Sequence, residues 1–243
     1  MMSKKPEVVL ILAAGLGSRL KSDEGVPKPL RPVAGRALIL RVLDRFLEAG
    51  VDEAVIVLGH RAHEVRAGIE EAGTEVRCIF AVNPRYKMSN GLSVLAAKPS
   101  IGDRPFFLSM SDHIFDASLI KGLASATLPD GGLVLAVDQK LDAIYDMDDA
   151  TKVRTEGGRI VEINKSLEKF DAVDTGLFAC SPALFDGIEA ESNRREDRDC
   201  SLSDGVKALA SQGLAVVHDV GEGLWQDVDT PGSAVHAEKL FGN

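Results

Sequence analysis

Apolar residues in this chain gather into short runs separated by amphipathic stretches. Val8–Leu12 is an unbroken apolar run rich in β-branched residues, the pattern of a strand buried on both faces of a parallel sheet. Ala54–Leu58, Val76–Val82, Phe106–Met110 and Leu133–Asp138 repeat the pattern. Between the first two lies a predicted helix over Ala37–Ala49, with Ile39, Val42, Leu43, Phe46 and Leu47 at helical spacing and Gly50 ending it. His60–Ala72 reads as an exposed helix stopped by Gly73, and Gly91–Lys98 and Ser118–Ala126 as shorter ones. This β-α-β-α-β order with short connections predicts an α/β fold, a mostly parallel central sheet flanked by helices.

Beyond Asp138 the pattern changes. Asp138–Asp149 carries Asp142, Asp146, Asp148 and Asp149 and reads as a solvated acidic loop. Thr151–Arg154 and Arg159–Ile163 flank Glu156-Gly157-Gly158 as a hairpin would. Val173–Cys180 is a strand, Pro182–Ala190 a helix, and Glu191–Asp199 a charged loop. Ser201–Ala210 is a helix capped by Ser201 or Ser203, and Leu214–Val220 and Leu224–Val228 are strands. Thr230 caps and Pro231 opens a last helix, Pro231–Phe241. With no repeat and no linker, 1–243 reads as a single domain: a first half over 1–137, an inserted β-rich region over 138–180, and closing strands and helix over 181–243.

Composition narrows the class. Of 243 residues 45% are apolar and 27% charged, which excludes a disordered chain, and a net charge of −9 argues against a general nucleic-acid binder. Cys78, Cys180 and Cys200 lack metal-ligand spacing. Their odd number and the start MMSKKPE, with no apolar signal region, lead to an expected cytoplasmic location. No apolar run is long enough to span a membrane.

Candidate chemistry collects at strand ends, where open α/β sheets bind ligands. After the first strand come Ala13, Ala14, Gly15, Leu16, Gly17, Ser18 and Arg19. Bare backbone N–H groups and an arginine fork suit phosphate, although a tight β–α turn alone would also use these glycines. Neither G-x-G-x-x-G nor G-K-[ST] is present. The loop Asp23–Arg36 is dense in Gly and Pro and holds Lys28 between two prolines. Asp112 follows Phe106–Met110, and Asp227 lies in Trp225-Gln226-Asp227-Val228-Asp229-Thr230. Each has a plain alternative, a helix cap for Asp112 and a turn for Asp227. Together they would suit Mg²⁺ beside substrate phosphates.

Leu12-Ala13-Ala14-Gly15-Leu16-Gly17-Ser18-Arg19 followed by Pro27-Lys28-Pro29-Leu30 resembles the L-A-A-G-x-G-S-R … P-K-x-L signature of the GT-A-like, Rossmann-like sugar-phosphate nucleotidyltransferases. The likeness covers essentially the whole chain. Met110–His113, Asn90–Ser93, Asp149–Arg154, Val173–Gly176 and Leu224–Thr230 resemble more closely the cytidylyltransferases that act on inositol 1-phosphate. The resemblance implies a nucleotide-binding half over 1–137 and an acceptor-binding insertion over 138–180. It implies Arg19, Lys28 and Asp112 as catalytic residues and Mg²⁺ on Asp112 and Asp227. Leu12, Ala13, Ala14, Gly15, Gly17, Ser18, Arg19, Asn83, Asn90, Gly91 and Ser93 would bind CTP. Asn90 reads equally as a helix cap. His113, Asp142, Lys165 and Asp174 would face the acceptor; Lys165 sits in N-K-S where the family usually has E-K-P, and His113 reads equally as structural. A membrane CDP-alcohol phosphotransferase is the implied downstream partner or fusion, and a homodimer is a candidate assembly. Phosphocholine, 2-aminoethylphosphonate or hexose 1-phosphate are the alternative acceptors. A non-catalytic nucleotide-binding subunit would be expected to have lost Lys28 or an aspartate, and a glycosyltransferase would show D-x-D where this chain has Asp112-His113-Ile114.

Overall fold

A computed structural model describes residues 5–17 and 25–242; the expectations for Ser18 and Arg19 fall outside the described residues. The first strand, β1 (Val8–Ala13), is followed by a small hairpin of β2 (Pro32–Val33) and β3 (Arg36–Ala37). Then come α1 (Leu38–Glu48), β4 (Glu53–Leu58), α2 (Ala62–Ala72) and β5 (Arg77–Val82). The next stretch gives α3 (Gly91–Ala96), α4 (Lys98–Ile101), β6 (Phe106–Met110), β7 (His113–Phe115), α5 (Ala117–Ser125) and β8 (Leu133–Asp138). A hairpin of β9 (Lys152–Glu156) and β10 (Arg159–Asn164) leads into the long β11 (Ala172–Cys180). The chain closes with α6 (Ala183–Asn193), α7 (Leu202–Ala210), β12 (Ala215–Asp219), β13 (Trp225–Asp227) and α8 (Pro231–Phe241).

Nine of these strands form one sheet in the order β5-β4-β1-β6-β11-β8-β12-β10-β9. The β5-β4-β1-β6 half is parallel, as the β-α-β order requires. β11 runs antiparallel between β6 and β8. The reason is where it starts. The β9–β10 hairpin forms the far end of the sheet, and β11 starts beside the last residue of β8, with Val173 opposite Asp138, so it runs back along β8. Its first residues, Ala172 and Val173, also pair with β9, so the far end of the sheet curls back on itself. Among the described residues no helix is long and apolar enough to cross a membrane.

Alternation along β1 explains the layers. Val8, Leu10 and Leu12 pack into a cluster with Val94, Leu184, Phe185 and Val206 from the helices on one face. Val9, Ile11 and Ala13 pack with Ile39, Phe46, Ile69 and Leu119 on the other. A third, small cluster joins Val33, Leu38, Ile114, Val228 and Ala237. It seats α8 and the strand before it against β7. Two features have weak sequence signals. The three-residue ladder of β7 with β13 is too short to show alternation, and α6 continues to Asn193 through residues that read as a charged loop.

Phe46 is fully buried against Phe107 and Phe115, at ring-centroid distances of 5.8 and 6.1 Å. Phe46→Ala should cost about 3–5 kcal/mol. Urea unfolding should show this as a lower midpoint at an unchanged slope.

Candidate active site

The C-terminal ends of β1, β6 and β8 and the first residues of β11 share one edge of the sheet. Ser111 donates its N–H to the Leu12 carbonyl at 3.2 Å, which holds the turn after β6 against β1. Asp112 follows, and its carbonyl accepts from Val228 N at 2.9 Å. The β7–β13 ladder sets Asp227 opposite His113 and Trp225 opposite Phe115. One short ladder thus brings together two segments that are far apart in sequence.

Asp229 is fixed by the next element. The backbone N–H groups of Asp229 and Thr230 donate to Ser233 Oγ at 3.0 and 2.9 Å, and Ser233 N donates to Thr230 Oγ1 at 3.1 Å. This capping box anchors α8 and the residue just before it. Lys28 opens a short 3₁₀ turn, Lys28–Leu30, in which Pro29 is buried. Its ammonium donates to Asp112 Oδ2 at 2.6 Å and also to Asp229 Oδ1. Gly17 allows that approach. Its φ is +62°, and a Cβ there would lie 2.7 Å from Lys28 Cβ.

His113 stands beside the acids. Its Nδ1 is 3.0 Å from Asp112 Oδ1 and 3.9 Å from Asp227 Oδ1. The imidazole stacks on Trp225, with centroids 6.0 Å apart and planes 14° apart. Gly176, at φ +73°, also packs on it: a Cβ there would come 2.8 Å from the ring. Trp225 Nε1 donates to Asp138 Oδ2 at 2.9 Å, while Lys140 N donates to Asp138 Oδ1 at 2.8 Å.

The charges follow from this packing. Burial works against a charged Lys28, but Asp112 and Asp229 outweigh it and hold the ammonium above the usual lysine range. Burial likewise works against ionised Asp112, yet Lys28 and His113 hold its carboxyl far below the usual carboxylate range. Asp227 goes the other way: burial, helped by the like charges of Asp112 and Asp229, pushes it up against the pull of His113 and Lys28. For His113, burial is outweighed by Asp227 and Asp112, which raise the imidazole to about 9.

Beside these groups lies a cavity of about 470 Å³. Asp112, His113, Lys165, Asp174 and Asp227 line it, as does Asn90. Asp142 does not: it is exposed in a 3₁₀ turn, and Asp138, one strand end earlier, occupies the wall instead. Lys165 pairs with Asp149 at 2.8 Å. Leu12, Ala13 and Ala14 are buried in the β1 core, and Gly15 faces open space, with nothing within 4 Å of where a Cβ would stand. Asn83 donates to Ser93 Oγ of α3 at 3.0 Å and accepts from Arg85 N of its own loop at 2.9 Å. Asn90 makes no side-chain cap to α3; its Oδ1 accepts from Leu202 N at 2.9 Å. Gly91 packs so tightly on the Cys200 carbonyl, 2.3 Å from a built Cβ, that packing alone accounts for the glycine.

Three residues at the site carry sequence signals of unequal strength. Asp229 lies two positions past Asp227, on the same side of an extended segment, a spacing that could have been read. Asp138 ends a buried strand, the same signal that singled out Asp112. Asp149 opens the Asp149–Arg154 stretch quoted for the resemblance, but its place in an irregular acidic loop gives no strand-end signal.

The donor set suits a hard cation. Ligand oxygens of Asp149, Asp227 and Asp229 lie within 4.8 Å of one another, as do ligand atoms of Asp112, His113 and Asp227. Asp227 Oδ1 is buried without a hydrogen-bond partner among the described residues, an orphan that a metal would satisfy.

Residues 9–169 match the family described as "MobA-like NTP transferase domain". The chain is 41% identical over 225 residues to the "Bifunctional IPC transferase and DIPP synthase" of Rubrobacter xylanophilus, covering 91% of this chain and 49% of that protein. It is 30% identical over 247 residues to the "N-acetylmuramate alpha-1-phosphate uridylyltransferase" of Caulobacter vibrioides, covering 98% of both. The solved inositol-1-phosphate CTP transferase from T. maritima superposes with a TM-score of 0.85 at 24% identity, over 99% of this chain and 97% of that one. The chain spans about half the length of the bifunctional relatives.

Asp174 offers a test of the site's electrostatics. Burial raises its carboxyl to about 6, against the Gly176 N–H and His113. A folded-state pKa above the unfolded one favours folding at low pH, and that contribution is lost as pH rises through 6. The ionised group therefore costs stability at neutral pH, at most about 3 kcal/mol. Asp174→Asn should raise the melting temperature more at pH 8 than at pH 4.5; an equal shift at both would refute the assignment.

Proposed function

The chain belongs to the MobA-like NTP transferase domain family, and on that premise we propose that it transfers a cytidylyl group from CTP to inositol 1-phosphate. A phosphate oxygen of the acceptor attacks the α-phosphorus of CTP, the bond from that phosphorus to the bridging oxygen breaks, and pyrophosphate leaves. The observation that carries the reading is Lys28 paired to Asp112 and Asp229 beside the orphaned oxygen of Asp227, with all three aspartates on the cavity wall. The names of the bifunctional relatives and of the T. maritima structure support CTP and inositol phosphate as the substrates.

Each described residue then has a task that its environment supports. Lys28, kept charged by its aspartates, neutralises the phosphate oxygens as charge builds in the transfer. Arg19, which lies outside the described residues, and the backbone at Gly15 and Gly17 hold the triphosphate, and the open space over Gly15 suits that approach. Asp112 and Asp227, with Asp229 beside them, would hold Mg²⁺, which when bound withdraws charge from the phosphate oxygens. On the acceptor side, Lys165 takes the phosphate and Asp174 a ring hydroxyl, both from the cavity wall. A phosphate monoester is already anionic near neutral pH, so no general base is required. Residues 1–243 act as a single domain in this reading. A synthase of the kind named in the bifunctional relatives is the proposed downstream partner.

The aromatic residues of the cavity do not favour a quaternary amine. Trp225 has His113 stacked on it and Tyr145 has His236, so each gives a ring face to a histidine rather than to an open cage.

Pyrophosphate release with Mg²⁺, each of the four nucleoside triphosphates and a panel of phosphorylated polyols, amino alcohols and hexoses tests the reading. Release is expected with CTP and inositol 1-phosphate. Release with UTP or dTTP and a hexose phosphate would overturn the substrate assignment. Asp227→Asn should lower turnover about a hundredfold or more. Its melting temperature should not fall, because the substitution removes a carboxylate that its surroundings disfavour.

A further inference from the structure

The segment over 139–151 roofs part of the cavity, with Ile144, Tyr145 and Asp149 on its wall. It is tied down at both ends. Asp138 binds Trp225 and Lys140 at the start, and Asp174 N donates to the Thr151 carbonyl at 2.9 Å at the finish. Between these ties Tyr145 reaches α8. Its ring stacks on His236, with centroids 4.4 Å apart and planes 23° apart. Its hydroxyl rests over Gly232 in the first turn of that helix, where a Cβ would lie 2.9 Å from Oη.

Stability does not account for these contacts. Tyr145 is 49% exposed and adds little to the core. Gly232 is not in the left-handed region, so its backbone has no need of glycine. In a helix, glycine is less favourable than alanine. What the missing side chain does provide is room for the tyrosine hydroxyl.

We propose that Tyr145, His236 and Gly232 form a clasp that holds the 139–151 roof over the cavity, and that Tyr145 is thereby a positioning residue for the phosphorylated acceptor. The inference rests on the function proposed above. The clasped segment also carries Asp149, which pairs with Lys165, so the clasp sets where the acceptor-side lysine stands.

Steady-state kinetics, varying each substrate separately, test this. Tyr145→Ala should raise KM for inositol 1-phosphate about tenfold and leave KM for CTP within about twofold; Tyr145→Phe, which keeps the ring stack, should stay near wild type. Gly232→Ala should raise the acceptor KM several-fold while the melting temperature holds or rises, an effect that a merely structural role would not produce. Combining Gly232→Ala with Tyr145→Phe removes the hydroxyl that meets the new methyl group and should restore the acceptor KM. A wild-type protein that turns over beside a Tyr145→Ala variant with unchanged acceptor KM overturns the clasp alone. So does a parallel rise in both KM values, or a double substitution that restores nothing. A wild-type protein that releases no pyrophosphate with any pair of substrates overturns the functional reading, and the clasp's role with it.

Discussion

Asp112, Asp227 and Asp229 crowd the end of β6, and without a counter-charge they would repel one another or take up protons. Lys28 supplies that charge by touching Asp112 and Asp229 at once. His113 supplies a second positive group between Asp112 and Asp227. Much of the local architecture serves these two contacts. Gly17 clears the path for Lys28, Trp225 and Gly176 pack against the imidazole, and the α8 capping box fixes Asp229. One oxygen of Asp227 has no hydrogen-bond partner among the described residues, and that is what a metal would correct.

The same edge of the sheet divides the work. On one side β1 ends in small residues and bare backbone. On the other, the insertion after β8 brings Lys165, Asp174 and the roof segment around the cavity. Lys28 and the aspartates stand between the two sides, where the proposed in-line transfer between two phosphates would need them. β11 joins the sides mechanically. Its C-terminal half is core, paired with β6 and β8, while its first residues pair with the hairpin and carry Asp174.

The central strands and most helices were legible from local pattern, because β1, β4, β6 and β8 are continuous apolar runs and α1 has an unambiguous apolar stripe. The orientation of β11 was not, since an apolar run reads the same in either direction. The β7–β13 ladder was hidden for a different reason. Its three-residue strands have no room for periodicity, and their pairing is stabilised by the small cluster around Val228 and Ala237.

Among the site residues, Lys28, Asp112 and Asp227 stood out in the sequence through their motifs and their places after apolar runs. Asp142 shows the limit of such patterns. In an acidic loop one aspartate looks like another, and only the folded path puts Asp149 on the cavity wall and Asp142 in solvent. By itself, then, the sequence determined the layered α/β framework, the Gly-rich turn and the identity of the charged groups, because strand burial and turn chemistry are local. The tertiary structure alone decided which acids share Lys28, which way His113 faces and what covers the cavity. Those depend largely on contacts between residues far apart in the sequence, such as Lys28 and Asp112, and no local pattern encodes a contact of that range.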